Sequence, residues 1–304
     1  MSISKHQSSL LTGLYSGIRK SRLLETSPGR WLFSRSYSLY KRHLEDPFHW
    51  LIVKHPELFL AGHVIDVGAN IGYTSALFAK AIDPGYRVFS FEPEAVNFSY
   101  LVQCAGRPES RGRIVPVRSA VGSGEGMISL WRNEHHHGDH RILSGPLEHT
   151  AAPSECVSVP ITTIDHFVRS TFVGNPFLGN SRPLNRVAFI KVDVQGYEFP
   201  VCKGMEQTLA DNPCAVIALE YCPDAISQLG FDSDEILAWW TFRGYTASTL
   251  WRNGTITTGI ATDLGNNGYI DLLFSQMALP LTHFAYPRRG RNRGRESTFR
   301  PLSS

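Results

Sequence analysis

From His63 onward, apolar residues arrive in short blocks separated by turn residues and by stretches with helical spacing. His63–Val67 is one such block, broken by a single acid, and a Gly68-Ala69-Asn70-Ile71-Gly72 turn follows it. Tyr73–Ile82 has helical spacing. Arg87–Phe91 is a second apolar block, Glu94–Ala105 a second helix, and Ile114–Val121 a third block. Strand, turn and helix in alternation predict a parallel sheet with helices on both faces. Upstream, Leu10, Leu11, Leu14 and Ile18 fall at helical spacing, and Leu32, Tyr37, Tyr40 and Leu44 suggest a second short helix. Residues 1–47 therefore read as an N-terminal helical arm.

The alternation stops between Gly122 and Val168. Met127–Trp131 and Cys156–Ile161 read as two strands flanking a polar, histidine-rich loop, and Thr163–Arg169 as a short helix. Residues 170–186 are dense in Gly, Pro, Asn and Ser and read as a loop. The alternation then resumes with a buried strand Val187–Val192, a helix Tyr197–Ala210, a strand Ala215–Leu219 and a helix Ser233–Arg243 capped by Ser233. Tyr245–Leu250 and Tyr269–Phe274 complete about seven main strands, mostly parallel. The expected organisation is an arm over 1–47, one α/β domain over 48–280 and an Arg-rich disordered tail over 281–304. Open parallel sheets bind ligands beyond the carboxyl ends of their strands, so the chemistry should sit on residues that directly follow the apolar blocks.

Composition narrows the classes. The chain is 42% hydrophobic and 19% charged, a globular balance that excludes a wholly disordered or collagen-like protein. The net charge of +3 is unevenly spread. Residues 1–43 carry eight Lys/Arg against one acid and residues 285–304 six Arg against one acid, which leaves −9 on the body. Basic ends can touch nucleic acid or anionic lipid, but they read here as solvated tails. The body lacks the aromatic and basic interleaving of RNA-binding surfaces, so nucleic acid is not an expected partner. No apolar run approaches the roughly 20 residues of a membrane span, and Met1–Ser27 lacks a signal-like apolar stretch. Five cysteines, an odd number without a C-x-x-C pair, argue against a disulfide framework or a zinc ribbon. A reducing, cytoplasmic setting is expected.

The first candidate site is the turn after His63–Val67. Gly68 and Gly72 let the backbone approach a ligand, and Gly72 also permits close packing of helix on strand. Asp66 lies inside the apolar block, where a carboxylate is costly unless bonded; it ties down the turn or a ligand amine. Counted from Gly68, the middle and last glycines of a dinucleotide fingerprint are replaced by Asn70 and Tyr73. That disfavours a pyrophosphate. The second site is Glu92, which ends the second block 20 residues beyond Gly72. An acid there can accept both ribose hydroxyls of a nucleoside.

The order of motifs is specific. Ile65-Asp66-Val67-Gly68-Ala69-Asn70-Ile71-Gly72-Tyr73-Thr74-Ser75 is followed by Phe91-Glu92-Pro93, Asn97, Ala120-Val121-Gly122 and Ile190-Lys191-Val192-Asp193-Val194-Gln195-Gly196-Tyr197-Glu198. This resembles the FkbM-type family of S-adenosylmethionine-dependent methyltransferases over roughly residues 60–245. The resemblance implies a class I, Rossmann-like methyltransferase sheet with its last strand reversed. It also implies O-methylation, often of sugar or polyketide hydroxyls, with a small-molecule or carbohydrate acceptor. It implies that Asp66, Gly68, Asn70, Gly72, Tyr73, Glu92, Asn97, Ala120, Val121 and Asp193 surround S-adenosylmethionine. Adenine would rest on backbone near Val121 or on Ser119. One departure is Gln195, where the family usually has Glu; little effect is expected if that position faces solvent.

Asp193 and Glu220 each close a strand. Two carboxylates there can bind an acceptor hydroxyl, orient the methionine ammonium or hold a divalent cation, although a cation is not expected. Glu198, in the first turn of the next helix, reads as a capping or structural carboxylate. The run His135-His136-His137-Gly138-Asp139-His140-Arg141 offers a further group, since a His–Asp pair suits a general base. His140 and Asp139 are the candidates for deprotonating an acceptor, and Arg141 for binding it. Consecutive histidines point in different directions, so a tight metal site is not expected. The alternative reading is an NAD-dependent oxidoreductase, which shares the sheet, the glycine turn and the acid of the second strand. The missing middle glycine and Asp66 argue against it.

Overall fold

A computed structural model describes residues 46–110, 112–131, 141–142, 156–172, 186–261 and 268–281. In chain order the strands are β1 (His63–Val67), β2 (Val88–Phe91), β3 (Ile114–Val117), β4 (Ala120–Val121), β5 (Gly126–Trp131) and β6 (Arg141–Ile142). They continue with β7 (Cys156–Thr162), β8 (Val187–Val192), β9 (Val216–Tyr221), β10 (Thr246–Leu250), β11 (Ile256–Thr258) and β12 (Ile270–Ser275). The helices are α1 (Phe48–Lys54), α2 (Tyr73–Ala81), α3 (Ala95–Ala105), α4 (Ile164–Phe172), α5 (Glu198–Lys203), α6 (Glu206–Asp211), α7 (Pro223–Gln228) and α8 (Ser233–Phe242).

The main sheet has eight strands in the order β11-β10-β12-β9-β8-β1-β2-β3. Pairing is parallel from β3 through β2, β1 and β8 to β9. β12 enters between β9 and β10 antiparallel to both, which is the expected reversed strand. The eighth strand, β11, folds back on β10 and is only three residues long, too short for alternation to reveal it. All five residues of β1 and all six of β8 are buried, as expected for strands covered on both faces. Ile65, Val67, Phe89, Phe91, Ile190 and Val192 pack on one side with Phe199, Trp240 and Phe274. Val64, Val88, Phe189 and Val216 pack on the other with Phe48, Phe59, Phe78 and Leu101.

A second sheet, β4-β7-β5-β6, is built from the segment where the alternation stops. The expected strand Ile114–Val121 is divided between the two sheets. Ser119 N donates back to Val117 O (3.1 Å), and β4 then leaves the main sheet to pair with β7. The expected helix Tyr197–Ala210 is also two pieces. Gly204 N closes α5 on Pro200 O and Val201 O, and a side chain at Gly204 would meet Gly122 O at 2.0 Å. Asp165 fixes α6 by accepting from Thr208 N and Thr208 Oγ1, both at 2.7 Å, and from Gln207 N at 3.0 Å. α8 is capped by the Asp232 carboxylate, which accepts from Asp234 N, rather than by Ser233.

The expected arm lies mostly outside the described residues, as does the tail beyond Leu281. Its last residues are described: Asp46 Oδ1 accepts from Phe48 N at 2.6 Å, and Phe48 packs edge-on against Phe78 and Phe189. Among the described residues no helix is long and apolar enough to cross a membrane.

Candidate active site

The carboxyl ends of β1, β2, β8 and β9 open into a cleft of about 1190 Å³, counted out to its mouth. The turn after β1 forms its floor. Gly68, Asn70 and Gly72 all have left-handed backbones, with φ of 78°, 50° and 86°. The close approaches these glycines permit are to the protein itself. A Cβ on Gly68 would lie 1.9 Å from Asp193 O, and one on Gly72 would lie 2.9 Å from Leu101 Cδ1 and 3.0 Å from Cys104 Cβ. Gly68 thus seats the end of β1 against the end of β8, and Gly72 seats α2 against α3. Gly68, Asn70 and Tyr73 border the cleft, whereas Gly72 does not.

Glu92 ends β2 and is 5% exposed. Its Oε2 accepts from Asn70 N and its Oε1 from Glu94 N, each at 2.9 Å. The carboxylate therefore locks the glycine turn to the start of α3, and each oxygen keeps a further lone pair. Burial pushes its pKa up to about 7, against the pull of the two backbone donors. Glu94 caps α3 by accepting from Val96 N (2.7 Å) and Asn97 N (2.8 Å), which fixes Asn97 at the cleft wall.

Beneath the turn lies a buried charge cluster. β1 and β8 pair in a register that sets Asp66 directly beside Lys191. Lys191 Nζ is 3.3 Å from Asp66 Oδ1, 3.3 Å from Asp193 Oδ2 and 3.2 Å from Gly68 O. Ser75 Oγ donates to Asp66 Oδ2 at 2.6 Å. Burial alone would lower the lysine pKa, but Asp66 and Asp193 outweigh it and hold the ammonium above the usual lysine range. Asp66 is fully shielded, so of its two expected partners, turn or ligand amine, the turn and its lysine are the ones observed.

Asp193 and Glu220, at the ends of β8 and β9, both line the cleft. The side chain of Gln195 does not simply face solvent. Its φ of 55° turns it back over the strand ends, where Nε2 donates to Asp193 Oδ1 and to Glu220 Oε2, each at 3.0 Å. Glu198 is a structural carboxylate rather than a helix cap: α5 has no side-chain cap, and Glu198 Oε1 accepts from Val194 N and Gly196 N of the preceding turn, both at 3.1 Å. Burial pushes its pKa up to about 7.

The far wall comes from the second sheet and its approach: Ser119, Ala120, Val121, Leu130 and Ile142. The single Ser119 hydroxyl hydrogen is shared between Ala120 O (2.8 Å) and Pro160 O (3.1 Å), which leaves its lone pairs as acceptors. Arg141 stands outside the cleft lining, and its guanidinium donates to Gln228 Oε1 at 2.6 Å. Asp139 and His140 fall outside the described residues. Sequence reasoning missed Lys191, Asp46, Leu130, Ile142, Tyr269 and Asp271 as cleft residues. Asp271 is the register partner of Glu220, a neighbour that only the position of β12 reveals. For Lys191 a signal existed, since a cation in the middle of an apolar run needs a buried acid to face.

The model of the methyltransferase FkbM domain matches residues 66–247, which hold Asp66, Glu92, Asp193 and Glu220. The hexuronic acid methyltransferase AglP of Haloferax volcanii is 26% identical over 144 residues, 47% of this chain and 50% of that protein. The chain thus spans about half the length of this curated relative. Among solved structures, methyltransferase FkbM from Methylobacillus flagellatus superposes with a TM-score of 0.44 at 15% identity, over 88% of this chain and 59% of that one. The O-methyltransferase from Bacillus cereus with bound S-adenosylhomocysteine gives 0.43 at 11% identity, over 90% of each chain. None of these supports the oxidoreductase alternative. The family match covers well over half of the chain and all four strand-end carboxylates, and the chain belongs to the methyltransferase FkbM domain family.

Proposed function

We propose that the protein is an S-adenosylmethionine-dependent O-methyltransferase acting on a hydroxyl of a small molecule or carbohydrate. The observation that carries this reading is Glu92. It is a buried carboxylate with spare lone pairs, held against the turn after β1 by Asn70 N in the same cleft as Asp193 and Glu220. The residues fit the cofactor. Glu92 would accept the ribose hydroxyls, and Asn97 and Tyr73 would flank the nucleoside. Ser119, Ala120 and Val121 would meet adenine, with Leu130 and Ile142 as its apolar wall. The backbone from Gly68 to Asn70, held by Asp66 and Gly72, would follow the methionine part. Bound there, the cofactor supplies an electrophilic sulfonium methyl.

The protein's own tasks are to align the acceptor and to take its proton. Asp193 would border the transfer site, with Glu220 contacting the acceptor; Arg141, outside the cleft lining, is not assigned to it. Lys191 is unsuited as the base, because its two carboxylate neighbours keep it protonated. His140, assisted by Asp139, is the candidate base. His140→Ala is expected to lower turnover about 100-fold or more while leaving cofactor affinity within a few-fold. Unchanged turnover would remove His140 from that role. The hexuronic acid methyltransferase named above supports a carbohydrate acceptor for this chain.

The direct test is calorimetric titration with S-adenosylmethionine, S-adenosylhomocysteine and NAD in parallel. Saturable binding of the first two without NAD is expected; binding of NAD alone would overturn the proposal. The titration should depend on pH. Ribose hydroxyls donate to an ionised carboxylate, and Glu92 in the free protein takes up its proton near pH 7. S-adenosylhomocysteine affinity should hold above pH 8 and weaken as pH falls through about 7, approaching a tenfold loss per unit. Glu92→Gln should flatten this profile. A profile identical in wild type and variant would separate the titration from Glu92.

A further inference from the structure

The amide of Gln195 sits where two carboxylates from adjacent strands converge. Asp193 and Glu220 accept from the same nitrogen, each at 3.0 Å, so the two hydrogens of one amide are shared between two acids. The left-handed backbone at Gln195 and at Gly196, with φ of 55° and 103°, makes this return possible. A Cβ on Gly196 would lie 2.4 Å from Ala225 O, so the turn is pressed against α7 and has little room to shift. Glu198 ties down the same turn from beneath through Val194 N and Gly196 N. Gln195 is therefore a braced donor aimed at two strand-end acids.

Two carboxylates this close can be joined either by a divalent cation, with oxygen ligands at about 2.0–2.6 Å, or by a neutral donor pair. We propose that the Gln195 amide takes the place of a bridging cation and sets the positions of Asp193 and Glu220, so that the acceptor end of the cleft is organised without a metal ion. Gln195 is on this view a positioning residue. The Lys191 ammonium holds the other oxygen of Asp193 from below, so that this carboxylate is fixed on both sides. The inference rests on the methyl-transfer reading only for calling this the acceptor end; the bridge itself stands on the geometry.

The probe is Mn²⁺, followed by electron paramagnetic resonance on the full chain, with S-adenosylhomocysteine calorimetry on each variant. Wild type should bind Mn²⁺ no better than a Glu220→Gln variant. Gln195→Glu replaces the donor with a third carboxylate and should bind Mn²⁺ at least about tenfold tighter, an effect of ligand charge. Adding Glu220→Gln to it should remove the gain. Gln195→Met, of similar length but unable to donate, should also gain Mn²⁺ affinity, and serves if the glutamate variant folds poorly. The proposal is overturned if wild type already binds Mn²⁺ tightly and loses it with Glu220→Gln, or if neither Gln195 variant gains affinity. Failure of every form to bind S-adenosylhomocysteine would overturn the methyl-transfer reading instead, and leave the Mn²⁺ comparison standing.

Discussion

Glu92→Ala is expected to weaken S-adenosylhomocysteine binding by about 150-fold to 25,000-fold. Two hydroxyl donors to one carboxylate contribute roughly 1.5–3 kcal/mol each, and the substitution removes both. It also removes the acceptor of Asn70 N and Glu94 N, so the floor of the cleft and the start of α3 lose their link. Calorimetry on Glu92→Ala beside Glu92→Gln separates the two effects. The amide can still accept from one backbone donor, so Glu92→Gln should keep more of the native melting temperature while losing most of the affinity. Near-native affinity in both variants would end the ribose assignment.

Lys191→Met should cost about 3–5 kcal/mol of stability, the usual cost of removing one partner from a buried ion pair. Asp66 would keep only the Ser75 hydroxyl, and it has no access to solvent. At this chain length such a loss lowers the melting temperature by about 10 °C. Asp66→Asn combined with Lys191→Met removes the orphaned charge and should recover part of the deficit. Urea unfolding of the two single variants and the double variant gives the coupling directly. A loss below about 1 kcal/mol for Lys191→Met would mean that the ammonium is not what neutralises Asp66.

The readable part of the fold was the part whose strands are covered on both faces. β1, β2, β8 and β9 are apolar runs, and each strand's last residues or the next one carry an acid: Asp66, Glu92, Asp193 and Glu220. A buried run that closes on a carboxylate needs no neighbour to announce itself. What escaped depended on who the neighbour is. Lys191 acquires its meaning from the register that puts β8 beside β1, and linear order holds those strands over a hundred residues apart. Gln195 was expected to have little effect if it faced solvent. Its left-handed backbone reverses that direction, and nothing short of the turn's geometry shows it. α7 and β11, six and three residues long, fall below the length at which periodicity can be read. The division of Tyr197–Ala210 followed from a contact with Gly122, again a matter of distant partners.

The second sheet has a consequence for how this family can diversify. Trp131 and Cys156 are register partners, so the chain between them departs from and returns to one place on the framework. Changes of length between such fixed ends carry a small entropic cost, about 0.6 kcal/mol for each doubling. That interval includes Ile142 and the histidine-rich run, whereas Glu92, Asp66 and Lys191 all belong to the other sheet. Natural variation, or a designer exchanging segments between relatives, can therefore rewrite the stretch of the far wall that carries Ile142 while Glu92 and the charge cluster under the glycine turn stay as they are.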